Sequence, residues 1–255
     1  MASILDTAQP VSEVSNSVNM LLYGDSGVGK TVFAGSGRDH GKHDLIIDIE
    51  SGTLSAARSK SQANVIPAYD YDTFVSIVEA VEEDPDRFEW VIVDSITKLQ
   101  DIIWDKIMSE AVAKNPTRSP YKRELQEWGE AQSRLKDLVE RLKNSDANVL
   151  FIALADSELD EDGNTVRVPA VHGSKGKVQA WVSAQVDVVA YMRVLSNEGG
   201  SFRAVHFNKT PEYYAKDRLR LYSSKGVKNL TLEAFTNKIL SQAEAEENET
   251  KKENK

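Results

Sequence analysis

The sequence predicts an α/β fold with a mainly parallel sheet, helices on both faces and antiparallel strands at one edge. Three observations support this prediction. Short, nearly continuous apolar runs recur along the chain, as expected for strands that are buried on both faces. Amphipathic stretches at helical spacing separate these runs, an alternation typical of parallel sheets. The first apolar run leads through a glycine-rich loop into a helix-forming stretch.

Composition favours one globular domain inside a reducing cytosol. The 255 residues are 40% hydrophobic, enough for a single substantial core. The net charge of -9 argues against a protein that coats nucleic acid over its whole surface, but it allows a local basic surface. The absence of cysteine excludes disulfides and cysteine metal sites. With no apolar leader and no run near the ~18 residues of a membrane span, we expect a cytoplasmic protein.

The glycine-rich loop matches the pattern G-x-x-x-x-G-K-[ST] of phosphate loops that bind nucleoside triphosphates. Its glycines let backbone N–H groups approach a phosphate, which a Cβ would block. The lysine can reach the β- and γ-phosphates, and the threonine hydroxyl can bind Mg²⁺. We therefore predict ATP and Mg²⁺ as cofactors. The predicted phosphate loop consists of Gly24, Asp25, Ser26, Gly27, Val28, Gly29, Lys30 and Thr31.

Four strands are predicted in the first half of the chain. They cover residues 19–23, 44–50, 63–67 and 88–95. A helix follows the third strand and places four apolar residues on one face, Phe74, Ile77, Val78 and Val81.

The second half begins with a predicted helix at residues 96–113. Ser119 and Pro120 form a good cap and first turn for the next helix. The inner face of that helix is expected to consist of Leu125, Trp128, Leu135, Leu138 and Leu142. A strand at 148–154 follows, and then a hairpin with its turn at residues 162–164.

Three further strands are expected to close one edge of the sheet, and a helix to end the domain. The strands are predicted at 185–195, 202–208 and 213–216, and the helix at 230–240. We therefore expect three regions. Residues 1–18 form a flexible lead or an arm that docks on a neighbour, residues 19–240 form an ATPase domain, and residues 241–255 form a disordered charged tail.

Acidic residues end two of the predicted strands. Asp94 follows an apolar run, and its carboxylate can hold Mg²⁺ opposite Thr31. Glu50 ends another strand and can orient a water molecule for attack on the γ-phosphate, as a general base. Asp48 lies two positions earlier on the same face, but deeper in the sheet, so the spacing favours Glu50.

Cationic residues occur in three other segments. Lys216 and Arg218 follow a predicted strand and can project together towards a phosphate, but most such charged triplets are solvated clusters, and residue types alone favour that explanation. Two mobile basic segments can neutralise the phosphates of nucleic acid. These candidate DNA-binding residues are Lys114, Arg118, Lys122 and Arg123 in one segment, and Arg167, Lys175 and Lys177 in the other. Five acids between residues 156 and 162 oppose such a role for the hairpin arm.

The order of these motifs from about residue 20 to 240 resembles the RecA-like ATPases of bacteriophages, in particular the small single-strand annealing recombinases. The resemblance is carried by the phosphate loop, residues 47–50 and 90–95, Trp128-Gly129, residues 148–154 and Ala215-Lys216-Asp217-Arg218. It implies a RecA-like P-loop NTPase core. Glu50 would be the catalytic glutamate and Asp94 the Mg²⁺-associated acid, and the two basic segments would occupy the positions of the DNA-binding loops.

The resemblance also implies an assembly and a function. Lys216 and Arg218 would reach a neighbour's γ-phosphate, so that ATP lies between subunits of a homo-oligomer. The expected activity is DNA-stimulated hydrolysis of ATP to ADP and phosphate. It would support annealing of single-stranded DNA in phage recombination, in the host cytoplasm, with a single-strand-binding protein as partner. A ring-helicase-like motor or helicase-loading ATPase in phage DNA replication is one alternative, and a nucleotide-gated assembly factor without DNA chemistry is another.

One departure from the family concerns the strand at residues 148–154. Relatives often end this strand with a polar sensor residue, whereas this chain has Ala153, Leu154 and Ala155. Asp156 or His172 is then the candidate to connect the γ-phosphate with the DNA-binding loop. The glycine that usually follows the Lys-x-Arg motif is also absent.

Overall fold

The computed structural model describes residues 17–37, 42–52, 54–173, 177–223 and 225–253. The strands are β1 (Asn19–Gly24), β2 (Leu45–Asp48), β3 (Asn64–Pro67), β4 (Val91–Asp94), β5 (Val149–Leu159), β6 (Thr165–Pro169), β7 (Val188–Asn197), β8 (Gly200–His206), β9 (Lys216–Asp217) and β10 (Val227–Lys228). The helices are α1 (Lys30–Ala34), α2 (Leu54–Arg58), α3 (Tyr71–Glu83), α4 (Ile96–Lys114), α5 (Leu125–Lys143), α6 (Lys177–Gln185) and α7 (Leu232–Glu253), with a short 3-10 helix at Pro85–Arg87.

The strands form one sheet in the order β10-β8-β7-β1-β5-β4-β2-β3, with β6 paired to β5 and β9 paired to β7. Strands β3, β2, β4, β5, β1 and β7 run parallel. Strands β8 and β9 are antiparallel to β7, and β10 is antiparallel to β8. The predicted fold class is confirmed. Strands β8, β9 and β10 supply the antiparallel edge, and β6 forms a separate antiparallel hairpin with the central strand β5.

Apolar layers cover both faces of the sheet, because successive residues of a strand point to opposite sides. Leu21 and Tyr23 pack in the layer that includes α3, α4, α5 and α6. Met20 and Leu22 pack in the layer that includes α1 and α7. Among the described helices, none combines the length and the apolar content required to cross a membrane.

The predicted start of the helix after α4 is wrong. Helix α5 begins at Leu125, and Glu124 precedes it as the N-cap residue, in place of the predicted Ser119 and Pro120. The Glu124 N–H donates to Glu127 Oε2 at 2.7 Å, a local acceptor that fixes the first turn. As a consequence Leu125 is 89% exposed and does not belong to the inner face.

The end of the domain also differs from the prediction. Helix α7 continues to Glu253, through most of the segment expected to be a disordered tail. This segment is rich in Ala, Glu and Lys, which all have high helix propensity. Helix α6 and strand β10 had no prediction. Of the expected flexible lead, residues 1–16 lie outside the described residues, and Val18 is buried beside β1.

Candidate functional site

The phosphate loop connects β1 with α1 at the carboxyl end of a central strand. Gly27 (φ 77°) and Gly29 (φ 104°) adopt the left-handed conformation that favours glycine. A Cβ on Gly27 would meet no heavy atom within 4 Å, so this side of the loop is open to a ligand. A Cβ on Gly29 would lie 2.3 Å from Arg203 Nε, which donates to Val28 O. The loop is therefore open at Gly27 and supported by Arg203 at Gly29.

Lys30 lies inside this loop. Its Nζ donates to Gly24 O at 2.8 Å and to Asp25 O at 2.9 Å, and the residue is 8% exposed. Burial lowers the pKa of the ammonium, whereas the negative charges of Asp94, Glu50 and Asp25 act in the opposite direction. Since these acids surround a buried cation, a bound polyphosphate would be a further anionic partner for it.

Thr31 and Asp94 meet across the gap between α1 and β4. Thr31 Oγ1 donates to Asp94 Oδ2 at 2.7 Å. Burial raises the pKa of the Asp94 carboxyl to about 6, and the nearby charges of Glu50 and Asp48 add to the effect, while Thr31 and Lys30 oppose it. A hydroxyl and a carboxylate are oxygen donors of the kind that Mg²⁺ prefers. Both side chains therefore fit a magnesium ion that also binds phosphate oxygens.

Glu50 and Asp48 have different surroundings. Asp48 is the buried last residue of β2, and its Oδ1 accepts from the Gly52 N–H at 3.2 Å. Glu50 lies beyond the strand and is exposed, and its Oε1 accepts a hydrogen bond from Ser95 Oγ. Ser95 directly follows Asp94, so this bond holds the Glu50 carboxylate close to the Thr31–Asp94 pair. The peptide bond between Asp94 and Ser95 is cis.

Lys216 and Arg218 lie away from the phosphate loop of their own chain. Strand β9 pairs with β7 at Val188 and Val189, the amino end of that strand, whereas the phosphate loop follows the carboxyl end of β1. Lys216 Nζ donates to the carbonyls of Ser183 and Val186, each at 2.6 Å. Burial and the charge of Arg218 lower the Lys216 pKa to about 8. Arg218 Nη2 donates to a third carbonyl at 3.3 Å, so both cations bind the end of α6.

The first basic segment contains one structural arginine and three exposed cations. Arg118 Nη1 lies 2.7 Å from Glu127 Oε1, and its side chain is 17% exposed, so it joins the loop to α5. Lys114, Lys122 and Arg123 are exposed.

An aromatic group that sequence reasoning missed accompanies these cations. The Arg123 guanidinium lies 4.2 Å from the ring centroid of Trp104 and 5.8 Å from that of Trp128. The two tryptophans meet edge to face with centroids 4.7 Å apart. Trp128 is 38% exposed and Tyr121 is 91% exposed. Aromatic residues interleaved with Lys122 and Arg123 are the sequence signal that could have revealed this group.

Trp104, Arg123 and Trp128 border a cavity of about 170 Å³ between α4 and α5. We call Trp104, Tyr121, Lys122, Arg123 and Trp128 together the aromatic–basic surface.

In the second basic segment, Arg167 is already paired with a carboxylate, and the hairpin that carries it is acidic. Arg167 Nη2 lies 2.7 Å from Asp25 Oδ1 and 3.0 Å from Asp25 Oδ2, so it contacts the phosphate loop of its own chain. Lys177 is exposed at the start of α6, and Lys175 lies outside the described residues. The two candidate sensor residues lie close together, with His172 Nδ1 3.9 Å from Asp156 Oδ2. The described contact from the hairpin to the phosphate loop is thus made by Arg167.

The strand order, with β5 between β1 and β4, and the phosphate loop at the end of β1 define a RecA-like, nucleotide-binding P-loop ATPase domain. The chain belongs to the AAA domain family, which matches residues 16–219.

Among solved structures, the chain is similar to a KaiC-like protein from the hyperthermophilic archaeon Pyrococcus horikoshii. That similarity has 13% sequence identity and a TM-score of 0.48, over 83% of this chain and 84% of the archaeal one. No curated protein matches the sequence significantly.

Proposed function

We propose that the protein is an Mg²⁺-dependent ATPase that binds single-stranded DNA and promotes annealing or strand pairing in phage recombination. The observation that carries the ATPase part is the convergence of Lys30, Thr31, Asp94 and Glu50 at the carboxyl edge of the sheet, on β4 and on the segments that follow β1 and β2. Ligands of open α/β sheets bind at this edge.

Each of these side chains has a separate role in the proposed hydrolysis. Lys30 binds the β- and γ-phosphates, and the Thr31 hydroxyl and the Asp94 carboxylate hold the magnesium ion. When bound, that ion neutralises charge on the phosphates. Glu50 orients the attacking water and takes its proton, and Ser95 keeps the carboxylate in place. The commitment of Asp48 to the turn after β2 supports Glu50 as the general base.

DNA binding is supported best by the aromatic–basic surface. Exposed aromatic rings stack on bases with little regard to sequence, worth ~1–3 kcal/mol per base, and nearby cations neutralise the backbone phosphates. Trp128 and Tyr121 offer such rings, and Lys122 and Arg123 offer the charges. The acidic hairpin contributes Arg167, which is already paired with Asp25, so we assign the main contact to the loop between α4 and α5.

Assembly into a homo-oligomer would complete the nucleotide site. A homo-oligomer would place Lys216 and Arg218 of one subunit against the ATP of the next, since both lie at the opposite edge of the sheet from their own phosphate loop. To reach that ATP, the two side chains would have to leave the carbonyls at the end of α6 that they bind. A single-strand-binding protein is the proposed partner, and the host cytoplasm the proposed location.

Fluorescence anisotropy with a labelled oligothymidylate tests the DNA-binding part. Wild-type protein should bind the oligonucleotide, and Trp128→Ala should weaken binding ~5- to 150-fold, the loss of one stacked base. Trp181→Ala is the matched control, because Trp181 is a partly buried tryptophan on α6 that contacts Lys136 and lies outside this surface. Equal affinity for wild-type and Trp128→Ala protein would contradict the assignment of the surface.

Assays of strand annealing and of strand separation distinguish an annealing protein from a helicase-like motor. The protein should accelerate pairing of two complementary oligonucleotides and should not unwind a forked duplex. Directional unwinding with ATP would favour the motor or loader. ATP hydrolysis without any DNA binding would favour a nucleotide-gated assembly factor.

A further inference from the structure

Arg167 occupies an unusually constrained position on the β5–β6 hairpin. Its backbone N–H donates to Glu212 O at 2.8 Å. Its carbonyl accepts from the Tyr214 N–H and from the Tyr23 hydroxyl, each at 2.9 Å. Tyr23 is fully buried and directly precedes the phosphate loop. The base of the hairpin is therefore fixed against β1 at the point where the loop begins.

The Arg167 side chain extends from this fixed backbone to the phosphate loop. Its Nη2 contacts both carboxylate oxygens of Asp25, and its Nη1 donates to Ser157 Oγ at 2.9 Å. Ser157 belongs to β5 and lies opposite Arg167 in the hairpin register. One guanidinium thus joins both strands of the hairpin to one residue of the loop.

Asp25 is also bound to the lysine of the loop. Its backbone carbonyl accepts from Lys30 Nζ, while its carboxylate pairs with Arg167. A phosphate at the loop competes with that carbonyl for the Lys30 ammonium, and as an anion it also competes with the Asp25 carboxylate for the guanidinium. A phosphate bound at the loop therefore changes the contacts of Asp25, the residue that pairs with Arg167 of the hairpin.

We infer that Arg167 is a positioning residue that couples the phosphate loop to the β5–β6 hairpin. A nucleotide at the loop changes the stability of the hairpin through the Arg167–Asp25 pair. The inference rests on the proposed function for nucleotide binding, but it does not require DNA.

The Arg167–Asp25 ion pair contributes too little to global stability to act mainly as structural support, and this favours a role in coupling. Both side chains are partly exposed, 37% for Arg167 and 51% for Asp25, and exposed ion pairs contribute little to global stability. Coupling between two sites is reciprocal, so a ligand that orders the hairpin must change nucleotide affinity by the same factor, typically ~5- to 150-fold.

Amide hydrogen exchange with the ATP analogue AMP-PNP and Mg²⁺ tests the inference. In wild-type protein, AMP-PNP should change exchange in the hairpin, residues 157–167, at least ~5-fold. In Arg167→Ala the hairpin should exchange at the same rate with and without AMP-PNP, and Arg167→Lys, which keeps the charge, should recover part of the response. Arg141→Ala is the control, because Arg141 makes a similar two-atom pair with Glu82 elsewhere on the surface.

Two further measurements make the outcomes distinct. Exchange of the β1 and β4 amides, unchanged between wild-type and Arg167→Ala, shows that the variant is folded. AMP-PNP affinity is measured by calorimetry on the same samples. If AMP-PNP binds wild-type protein and the hairpin does not respond, or if Arg167→Ala responds like wild type, the coupling is refuted and the nucleotide site stands. If AMP-PNP does not bind wild-type protein, the proposed nucleotide site fails as well.

Discussion

Replacing Asp94 with asparagine should stabilise the fold and abolish ATP hydrolysis. The carboxyl is 4% exposed, and burial is the main reason that its pKa rises to about 6 from the ordinary value of 3.8. A buried acid with a raised pKa destabilises the folded state once the pH exceeds its unfolded pKa, because the unfolded chain releases the proton more easily. Asparagine has nearly the same shape and carries no charge, and Thr31 Oγ1 can still donate to its carbonyl oxygen.

The size of the effect follows from the two pKa values. At pH 7 the carboxylate costs the folded state ~3 kcal/mol, since each pKa unit is worth ~1.4 kcal/mol. At pH 4.5 the folded-state acid is almost fully protonated and the unfolded one is still ~80% ionised, so the cost falls to ~1 kcal/mol. The stability advantage of Asp94→Asn should therefore shrink by ~2 kcal/mol as the pH falls from 7 to 4.5.

Urea unfolding at the two pH values measures this advantage, with EDTA present and nucleotide absent. Asp44→Asn is the control. Asp44 is also buried, with its pKa raised to about 7, but it precedes β2 at the opposite end of the sheet. The Asp44→Asn variant should be more stable than wild type and keep its ATPase activity. If Asp94→Asn is less stable than wild type at pH 7, or if its advantage does not depend on pH, the reasoning is refuted.

Three other predictions concern the proposed site and DNA surface. Lys30→Ala should abolish turnover and weaken ATP binding ~10- to 100-fold, because a hydrogen bond between charged groups is lost. If the variant binds ATP as tightly as wild type, the phosphate-loop assignment is wrong. Glu50→Gln and Arg218→Ala should each be inactive, but a mixture should regain some hydrolysis if Arg218 acts on a neighbour, and no recovery in well-mixed oligomers would contradict that role. Charge reversal of Lys114 and Lys122 should reduce the salt dependence of DNA binding by ~1 unit of slope per phosphate contact, whereas an unchanged slope would assign binding to another surface.

Features that depend on neighbouring residues in the sequence could be predicted. The four inward residues of α3, among them Phe74 and Val81, are all buried as their spacing predicts. The phosphate loop is recognisable because the turn, the lysine and the hydroxyl needed around a phosphate occur within eight consecutive residues. The helix start at Glu124 was missed because a glutamate capping box is a weaker sequence signal than Ser-Pro.

Features that depend on distant partners could not be predicted. Charge alone identified Arg167 as a candidate DNA contact, but it has a carboxylate partner that only the fold supplies. Arg167 and Asp25 are 142 residues apart in the sequence. Lys216 likewise binds carbonyls at the end of α6, a helix whose weak amphipathic pattern gave no prediction.

The most direct test of the account is steady-state ATP hydrolysis by wild-type protein, with Mg²⁺, in the absence and presence of single-stranded DNA. We predict hydrolysis that requires Mg²⁺, disappears in Lys30→Ala and rises when single-stranded DNA is added. Hydrolysis that DNA leaves unchanged would contradict the DNA-binding part of the account. Absence of hydrolysis under both conditions would contradict the assignment of the protein as an ATPase.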